Sequence, residues 1–430
     1  MTSDRGERES FVHIVLPGET AFTVAGKFRV TRTAAGVWRG EFVYGRSYLE
    51  RRNAVELDPL ELTLGPQVRE TVRLGGFFGA IRDAMPDAWG RRLLERKLRR
   101  SNLEEFEYLR EGEEDRAGAL GFGPDPVLSA PPSRFPAVPS LGALADAVAA
   151  VLRDDGHPHP QHARELVLPG TSLGGARPKN TVQDGDDLWL AKFSRPDDPW
   201  DEPRVEHALL RLAGACGLRA AVSRIETLGE RAVLLVQRFD RVRAADGFLR
   251  WRLVSGLTLL RAEESATGRE RWSYLLLADE IRRTSVRSGD DLRELFRRMC
   301  FNAAVGNTDD HPRNHALIAV REGWRLSPVY DLTPTPTASR EPPFLAMECG
   351  LEGRIASRGN LLSGAGRFLV SRTEAETILD SVFRKVGTTW RAAMREAGVS
   401  AADIRRVGSA FDHSWLPDGR LAAETGPVAD

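Results

Sequence analysis

The period of the hydrophobic pattern changes along the chain, and this change limits the fold more than any other feature. Between residues 11 and 63, apolar segments alternate with turn residues, which is typical of a sheet rich in hairpins; the strand-like segments are FVHIVL, FTVAGKFRVTR, GVWRGEFVYG and LELTL. Residues 77–100 have helical periodicity with a break at Pro86. Further on, the strand-like LWLAKF and RAVLLVQRF flank the helical EHALLRLAGACGL, and helices dominate from residue 251. The sequence predicts an α+β protein whose small sheet-containing lobe precedes a mostly helical lobe.

The length and one proline-rich stretch predict several packed segments. A chain of 430 residues exceeds what one hydrophobic core usually supports. Residues 123–139 are dense in proline and small residues, the composition of a semi-rigid connector. We therefore predict four segments: an N-terminal α+β subdomain (1–125), a connector with a helix at 141–153 (126–160), a sheet-containing lobe (161–250) and a helical lobe (251–430).

Composition excludes several classes of protein. The formal net charge is zero and the pI is about 7.1, so the overall field does not favour tight nonspecific binding to nucleic acid or anionic membranes. The first ten residues lack the pattern of a secretory signal and no long apolar run follows, so we expect a cytoplasmic protein without membrane association. Three cysteines lack metal-binding spacing and are interpreted as buried thiols: Cys216, Cys300 and Cys349. Three histidines separated by prolines favour a solvated loop over a metal site: His157, His159 and His162.

The most specific motif is a polar loop between an apolar helix and a predicted hairpin. It reads FNAAVGNTDDHPRNHALI at 301–318, followed by WRLSPVYDLTPT at 324–335. Asp309 and Asn314 are five residues apart, and Asp331 follows the hairpin. Protein kinases place a catalytic Asp and a metal-binding Asn at this separation, with a second metal-binding Asp after the next strands. Taken alone, NTDDHPRN is also compatible with a polar turn, where Asn, Asp and Pro are common for backbone reasons.

Upstream residues add groups that suit phosphate binding. TSLGGARPKN at 171–180 is a small-residue turn whose backbone amides could approach phosphate oxygens, although an ordinary hairpin turn is the alternative. It is not a Walker A loop, because Ala176 and Arg177 stand where Lys and Ser/Thr are required. Lys192 lies in an apolar strand, where an ammonium is unfavourable unless it meets an anion. Glu206, at the start of the next helix, could form an ion pair with Lys192. Alternatively, it could be there only because a negative charge at a helix N-terminus interacts favourably with the helix dipole.

With these residues assembled, the chain resembles the HipA family of serine/threonine kinase toxins over nearly its full length. Four motifs in order carry the resemblance: SLGGARPK at 172–179, LLVQRFDR at 234–241, NTDDHPRN at 307–314 and SPVYDL at 327–332. The N-terminal YLERRNAVEL, FFGAIRDAMPDAWGRRLL and DRAGALGFGP are similar to the small subdomain that precedes the kinase lobes in that family. The resemblance implies a two-lobed protein-kinase-like fold.

The resemblance also implies a role for each matching residue. Asp309 would be the catalytic base, and Asn314 and Asp331 the Mg²⁺ ligands. Lys192 would bind the α- and β-phosphates of ATP, supported by an ion pair with Glu206. The other implied nucleotide contacts are Ser172, Gly174, Gly175, Lys179, Gln237, Phe239 and His311.

Alternatives stay open for three of these residues and for the choice of base. Gln237 and Phe239 would present backbone groups to adenine between the lobes, with a buried strand end as the alternative. His311 would line the phosphates, or it could be an ordinary loop histidine. Because Asp310 stands beside Asp309, the choice of base depends on the five-residue spacing to Asn314.

Family membership implies a biological setting as well. Family members autophosphorylate the serine that matches Ser172, which inactivates them, since a phosphate adds about two negative charges to a loop that holds ATP phosphates. They phosphorylate a protein such as an aminoacyl-tRNA synthetase, and a small helix-turn-helix antitoxin bound to operator DNA restrains them. We therefore expect an ATP- and Mg²⁺-dependent toxin kinase that associates with DNA only through its antitoxin.

One segment departs from the family pattern. RLVSGLTLLRAEES at 252–265 stands where many members carry an acidic, Gln-containing segment, which puts the substrate in doubt more than the chemistry. Two functions are alternatives to a toxin kinase that acts on a protein: a kinase-fold scaffold that acts as corepressor with a DNA-binding antitoxin, or a kinase of a small-molecule or lipid acceptor.

Overall fold

The computed structural model describes residues 8–131, 133–153, 175–264, 266–339 and 341–416. The strands of these residues are β1 (Arg8–Val15), β2 (Phe22–Arg32), β3 (Trp38–Tyr44), β4 (Arg69–Thr71), β5 (Leu120–Gly123), β6 (Lys179–Asp184), β7 (Asp187–Phe193), β8 (Ser223–Leu228), β9 (Arg231–Gln237), β10 (Arg241–Ala244), β11 (Gly247–Arg250), β12 (Leu253–Ser255), β13 (Ala316–Val320) and β14 (Gly323–Leu326). Their α-helices are α1 (Arg46–Leu49), α2 (Gly79–Asp83), α3 (Ala88–Leu98), α4 (Glu105–Glu111), α5 (Leu141–Arg153), α6 (Glu202–Ala215), α7 (Gly256–Leu260), α8 (Tyr274–Thr284), α9 (Ser288–Ala304), α10 (Arg358–Ser363), α11 (Arg372–Glu396) and α12 (Ala401–Val407).

The chain divides into two compact units, each assembled from separate segments. Unit 1 takes the described residues of 1–195, 237–259 and 318–322. Unit 2 takes those of 196–236, 260–317 and 323–430. The four segments expected from the sequence are finer than this division, and their boundaries at 125, 160 and 250 stay predictions.

An antiparallel sheet of five strands, in the order β4-β3-β2-β1-β5, forms the N-terminal part of unit 1. Alternate residues of β2 and β3 bury one face, including Phe28, Val30 and Phe42. In the same unit, β6 pairs with β7 in antiparallel fashion, and β10 and β11 form a two-stranded antiparallel hairpin. The first three strand-like segments of the sequence are therefore confirmed, as is LWLAKF in β7.

The fourth strand-like segment, LELTL at 60–64, is not a strand, and the prediction was wrong there. The buried carboxylate of Asp58 accepts hydrogen bonds from three consecutive backbone N–H groups, those of residues 60–62, at 2.7, 2.6 and 3.2 Å. These donors cannot also serve a strand ladder, so the aspartate imposes a local turn. The apolar alternation reflects burial of Leu62 within that turn.

The helical segment at 77–100 folds as two helices, α2 and α3, interrupted at Pro86 as predicted. A proline lacks the N–H that a helix interior requires, so one helix cannot continue through it. The Asp87 side chain begins α3 by accepting the Gly90 N–H at 2.9 Å. The predicted helix at 141–153 is α5, with the same bounds.

Unit 2 is mainly helical. Its long helix α11 packs against α6 and α9, and α9 packs against α8. α6 ends at Ala215 and is followed by Gly217 at a φ of +80°, as the sequence EHALLRLAGACGL predicts. Within the described residues, no helix combines the length and the apolar character needed to cross a membrane.

Two of the three cysteines are buried as predicted, and one is not. Cys300 and Cys349 are buried, but Cys216 at the end of α6 is partly exposed. It lies past the last helical turn, where helical periodicity no longer determines burial. Burial raises the pKa of Cys216 to about 11 and that of Cys349 to about 12, so both thiols stay protonated at neutral pH.

Candidate active site

The loop between α9 and β13 carries most of the predicted catalytic residues. At its start Gly306 has a φ of +61°, and a Cβ there would lie 2.7 Å from the Ala410 carbonyl oxygen, so the position requires glycine. The His311 N–H donates to the Asp309 carbonyl at 2.8 Å, and the Asn314 N–H donates to the His311 carbonyl at 2.9 Å. A 3-10 turn at Pro312–Asn314 then leads into β13. These local bonds fix the direction in which each side chain of the loop projects.

Two adjacent carboxylates in this loop have opposite environments. Asp310 is 2 % exposed and accepts hydrogen bonds from the Tyr274 hydroxyl and from His315 Nε2, the latter at 2.8 Å. Asp309 is exposed, and in the part of the chain that the structure describes no hydrogen bond reaches its carboxylate. Of the two, only Asp309 is accessible to a hydroxyl arriving from solvent.

The segment that carries Asp331 is bound to the same loop. The Tyr330 hydroxyl donates to the Arg313 carbonyl at 2.8 Å, and the Thr335 N–H donates to the Gly306 carbonyl at 2.9 Å. Asp331 itself has a φ of +59°, a left-handed conformation that costs a residue other than glycine about 1–3 kcal/mol. The structure therefore brings Asp331 to the loop in a strained conformation, as is frequent at functional sites.

Although Asp309 is exposed to solvent, the surrounding protein partly desolvates its carboxylate, and this desolvation together with neighbouring charges raises its pKa. Partial burial is the largest cause, and the carboxylates of Asp331 and Asp310 add to it. His311 and Arg269 act in the opposite direction. The influence of Asp331 shows that its carboxylate lies near that of Asp309, although the two are far apart in sequence.

Asn314 and Asp331 offer an amide oxygen and a carboxylate, the hard oxygen donors that Mg²⁺ prefers. Asn314 is 5 % exposed, and no hydrogen bond of its side chain occurs among the residues described. Within those same residues, no group of three or more His, Cys, Asp or Glu side chains is arranged to hold a metal ion. The pair therefore fits Mg²⁺ when phosphate oxygens and water complete its coordination, as when the ion arrives with a nucleotide.

His311 lies against an aromatic residue from the segment before α8. Its ring centroid is 6.1 Å from that of Trp272, and Trp272 Nε1 donates to the Glu263 carbonyl at 3.1 Å. The guanidinium of Arg269 lies 5.2 Å from the Trp272 ring centroid, a cation–π contact. An imidazole and a guanidinium thus stand near Asp309. Sequence reasoning missed Trp272 and Arg269 because neither is close to the loop along the chain.

Lys179, a predicted nucleotide contact, is neutralised inside unit 1. It is 2 % exposed, and its Nζ lies 2.7 Å from the Asp87 carboxylate. The same Nζ donates to the Gly175 carbonyl at 3.1 Å, and Trp89 Nε1 donates to the Lys179 carbonyl at 3.1 Å. These contacts favour a structural role that joins the cap of α3 to the residues before β6. The nucleotide contacts of Lys179 and Gly175 stay predictions.

Lys192 and Glu206 fall in different units. Lys192 is half-buried in β7, directly opposite Lys179 in β6. Opposed like charges on a hairpin repel, so each ammonium requires an anion of its own. Glu206 is buried in α6, where a carboxylate requires a cation or hydrogen-bond donors. Their mutual ion pair stays a prediction.

The remaining predicted nucleotide residues are less informative. Gln237 ends β9, at the point where the chain passes from unit 2 to unit 1, and Phe239 follows it. Both are half-buried, and their contact with adenine stays a prediction. Ser172 and Gly174 lie outside the described residues.

The motif LLVQRFDR at 234–241 supplies a buried ion cluster that sequence reasoning missed. Arg238 donates to Asp115 at 2.7 Å and to Asp240 at 2.9 Å. Arg241 donates to Asp240 at 2.7 Å. We call these four residues the arginine cluster; none of the four side chains is more than 2 % exposed. The available signal was a charge-dense RFDR directly after an apolar strand, since charges at such a position require partners.

The fold is shared with a solved structure of a toxin–antitoxin complex. The chain is similar in fold to a chain from the Shewanella oneidensis MR-1 complex of HipA, HipB and operator DNA, with a TM-score of 0.66 and 17 % sequence identity. The likeness covers 94 % of this chain and 96 % of that one. A second likeness, to the Helicobacter pylori proinflammatory kinase CtkA, has a TM-score of 0.34 at 13 % identity over 51 % of this chain and 94 % of that one. The protein thus has a kinase-like fold of mixed α/β type.

Its family follows from the sequence of the second half. Residues 171–390 match the family described as HipA-like C-terminal domain, and the chain belongs to that family. A curated relative, the putative kinase Y4mE of Sinorhizobium fredii (strain NBRC 101917 / NGR234), is 31 % identical over 160 residues, 35 % of this chain. The match spans 37 % of the length of that relative.

Proposed function

We propose that this chain is an ATP-dependent serine/threonine protein kinase of HipA type and the toxin of a toxin–antitoxin pair. The observation that carries the proposal is the opposite environment of two adjacent carboxylates. Asp309 is exposed and lies near Asp331, whereas Asp310 is buried and hydrogen-bonded. Membership of the HipA-like family supports the same chemistry.

The proposed reaction moves the γ-phosphoryl group of ATP to a hydroxyl on an acceptor protein. The hydroxyl oxygen forms the new O–P bond, the bond from the γ-phosphorus to the β,γ-bridging oxygen breaks, and ADP leaves. Asp309 accepts the proton of the hydroxyl. Asn314 and Asp331 would hold Mg²⁺, which when bound neutralises charge on the phosphates. Lys192 is the proposed cation on the α- and β-phosphates.

The electrostatic environment of Asp309 supports its role as base. A carboxylate at its ordinary pKa is a weak base, and general-base catalysis improves as the pKa approaches the working pH. Partial burial and the charge of Asp331 shift the pKa of Asp309 in that direction. Asp310 lacks this access, because a hydroxyl would have to displace two buried hydrogen bonds to reach it.

We further propose that the acceptor is a translation component such as an aminoacyl-tRNA synthetase, and that Ser172 is a site of inactivating autophosphorylation. The proposed partner is a small helix-turn-helix antitoxin through which the protein associates with operator DNA. Support for the partner is the solved complex of similar fold, which contains HipB and operator DNA. Support for the acceptor and for Ser172 is the family resemblance of the sequence.

The decisive experiment adds the purified full-length protein and radiolabelled ATP to a cytosolic lysate, with Mg²⁺ or with a chelator. We expect label on serine or threonine of a protein, and only with Mg²⁺. Label confined to the lipid or small-molecule fraction would contradict the protein acceptor. Absence of transfer, together with nucleotide binding that ignores Mg²⁺, would contradict the kinase and favour a scaffold that acts as corepressor.

A further inference from the structure

The buried carboxylate of Asp310 belongs to a continuous chain of hydrogen bonds. It accepts from the Tyr274 hydroxyl and from His315 Nε2; because an ionised carboxylate only accepts, both of these groups donate. Asn302 Nδ2 donates to the Tyr274 hydroxyl at 3.0 Å, and Asn307 Nδ2 donates to Asn302 Oδ1 at 3.0 Å. We call these five residues the loop network.

The loop network is dry and comes from several elements. Each of its five residues is at most 2 % exposed. Tyr274 begins α8 and Asn302 lies in the last turn of α9, while the other three belong to the loop itself. Burial alone would raise the pKa of Asp310, but His315 and Tyr274 stabilise its charge and hold the pKa below its ordinary value. The network therefore connects two rigid helices to the loop through an ionised carboxylate.

The attachment points bracket the proposed catalytic residues. The network holds the loop at residues 307, 310 and 315, and the exposed Asp309 lies between the first two. Asn314 lies between the last two. Catalysis is sensitive to such anchoring, because a displacement of about 1 Å of a reacting group can cost on the order of 100-fold in rate.

We propose that Tyr274, Asp310 and His315 are positioning residues for phosphoryl transfer, which set Asp309 and Asn314 in place without touching substrate. This inference rests on the proposed function and assigns the second carboxylate of the NTDDHPRN motif a role other than base or metal ligand. The burial of Asp310 excludes contact with an acceptor hydroxyl or with a hydrated ion.

The test is Tyr274→Phe, which keeps the ring and its edge contact with His315, at 5.4 Å between centroids, and removes only the hydroxyl. We expect kcat to fall about tenfold, the size of one lost hydrogen bond to a charged group, with KM for Mg²⁺-ATP within about twofold of the wild-type value. The rate is expressed per folded molecule, because loss of folded protein alone would also lower the apparent kcat at unchanged KM; a lower kcat of each folded molecule indicates positioning.

Tyr44→Phe is the matched control. Tyr44 is also buried, and its hydroxyl also donates once, to the Leu62 carbonyl, and accepts once, from the Leu57 N–H at 2.9 Å. It lies in β3 and belongs to unit 1, whereas the loop belongs to unit 2. We expect it to lower the unfolding midpoint about as much as Tyr274→Phe while kcat per folded molecule stays unchanged. Equal effects of the two variants on kcat would overturn the positioning role.

A second pair of variants keeps the inference testable if Tyr274→Phe does not fold. His315→Gln retains an N–H donor near the position of Nε2, whereas His315→Ala removes it. We expect the glutamine variant to recover at least half of the wild-type kcat and the alanine variant to lose about tenfold. Identical rates for the two would contradict the inference. An active wild-type protein with an unaffected Tyr274→Phe overturns only the positioning role, whereas an inactive wild-type protein overturns the proposed function itself.

Discussion

The arginine cluster of unit 1 and the loop network of unit 2 each include charged residues of a sequence motif, yet they distribute charge differently. In the arginine cluster, two guanidiniums and two carboxylates neutralise each other, and each of the four side chains is buried. In the loop network, one carboxylate is satisfied by neutral or weakly basic donors, and the carboxylate next to it in sequence is left exposed.

This difference separates the residues of a charged motif that stabilise the fold from those that serve its chemistry. Charges that pair with one another in a dry interior hold segments together and are not available to bind a substrate. Where a buried carboxylate stands next to an exposed one, the buried carboxylate fixes the backbone, and the exposed carboxylate remains accessible to a substrate. We expect substitutions on the two sides of this division to differ in whether they change activity or stability.

The largest effect is expected for Asp309→Asn, which removes the proposed base with almost no change in shape. We expect phosphoryl transfer to fall by about 10²–10⁴-fold, the usual contribution of a positioned base. Because Asp309 is exposed and its raised pKa means that its charge does not stabilise the fold, the unfolding midpoint should not fall. Asp246→Asn, in the exposed turn of the β10–β11 hairpin, is the matched control and should retain full activity. Wild-type rates in the Asp309 variant would show that another group is the base.

Asp115→Asn should have its main effect on stability. It removes one carboxylate that Arg238 and Arg241 share, and leaves a buried guanidinium without full compensation. We expect the free energy of unfolding to fall by about 3–5 kcal/mol, as when one partner of a buried ion pair is removed. Denaturant titration measures the loss, and hydrogen exchange should locate it in peptides around residues 115 and 238. A loss below about 1 kcal/mol, the range of exposed pairs, would contradict the division.

The arginine cluster should also make unit 1 sensitive to acid. Burial would raise the pKa of Asp115, but Arg238 and Arg241 outweigh it and hold that pKa below the ordinary value; the pKa of Asp240 is lowered in the same way. Below pH 4 the unfolded chain therefore binds more protons than the folded one. As the pH is lowered, the free energy of unfolding decreases by up to about 1.4 kcal/mol per pH unit for each group. Asp115→Asn should show a shallower slope between pH 5 and pH 3. An unchanged slope would mean that other carboxylates determine acid stability.

The smallest effect is expected for the exposed ion pair of Arg46 and Glu50, which has N···O at 2.9 Å at i,i+4 spacing. The Arg46 side chain is 93 % exposed, so Arg46→Ala should lower the free energy of unfolding by no more than about 0.5 kcal/mol. This difference from the wild type should disappear in high salt. The same denaturant titration provides the measurement. A loss as large as that of Asp115→Asn would show that burial does not separate the two kinds of pair.

Periodicity was enough to predict most of the elements. The strands of residues 11–44, the break at Pro86, the helix at 141–153 and the hairpin after the catalytic loop all follow from local pattern and turn chemistry. The segment at 60–64 was missed because Asp58 redirects its backbone hydrogen bonds, an effect of one polar side chain on an otherwise strand-like sequence.

The candidate site was predicted less completely than the fold. The spacing of Asp309 and Asn314 indicates which residues share a loop, but it does not indicate that Asp310 turns inward to Tyr274 or that Arg269 and Trp272 approach from another segment. Those facts depend on contacts between residues that are distant in sequence. The arginine cluster was missed for the same reason, since Asp115 and Arg238 are 123 residues apart.

We propose that Asn314 and Asp331, both of unit 2, hold the Mg²⁺ of a bound nucleotide, and equilibrium binding of ATP measures this property. We expect Mg²⁺ to strengthen ATP binding to the wild-type protein, and Asp331→Asn to weaken Mg²⁺-ATP binding by about 10- to 100-fold, the value of one charge-assisted contact. Asp246→Asn, in the exposed turn of the β10–β11 hairpin, is the matched control and should bind as the wild type does. Unchanged Mg²⁺-ATP affinity in Asp331→Asn would contradict the proposed metal site.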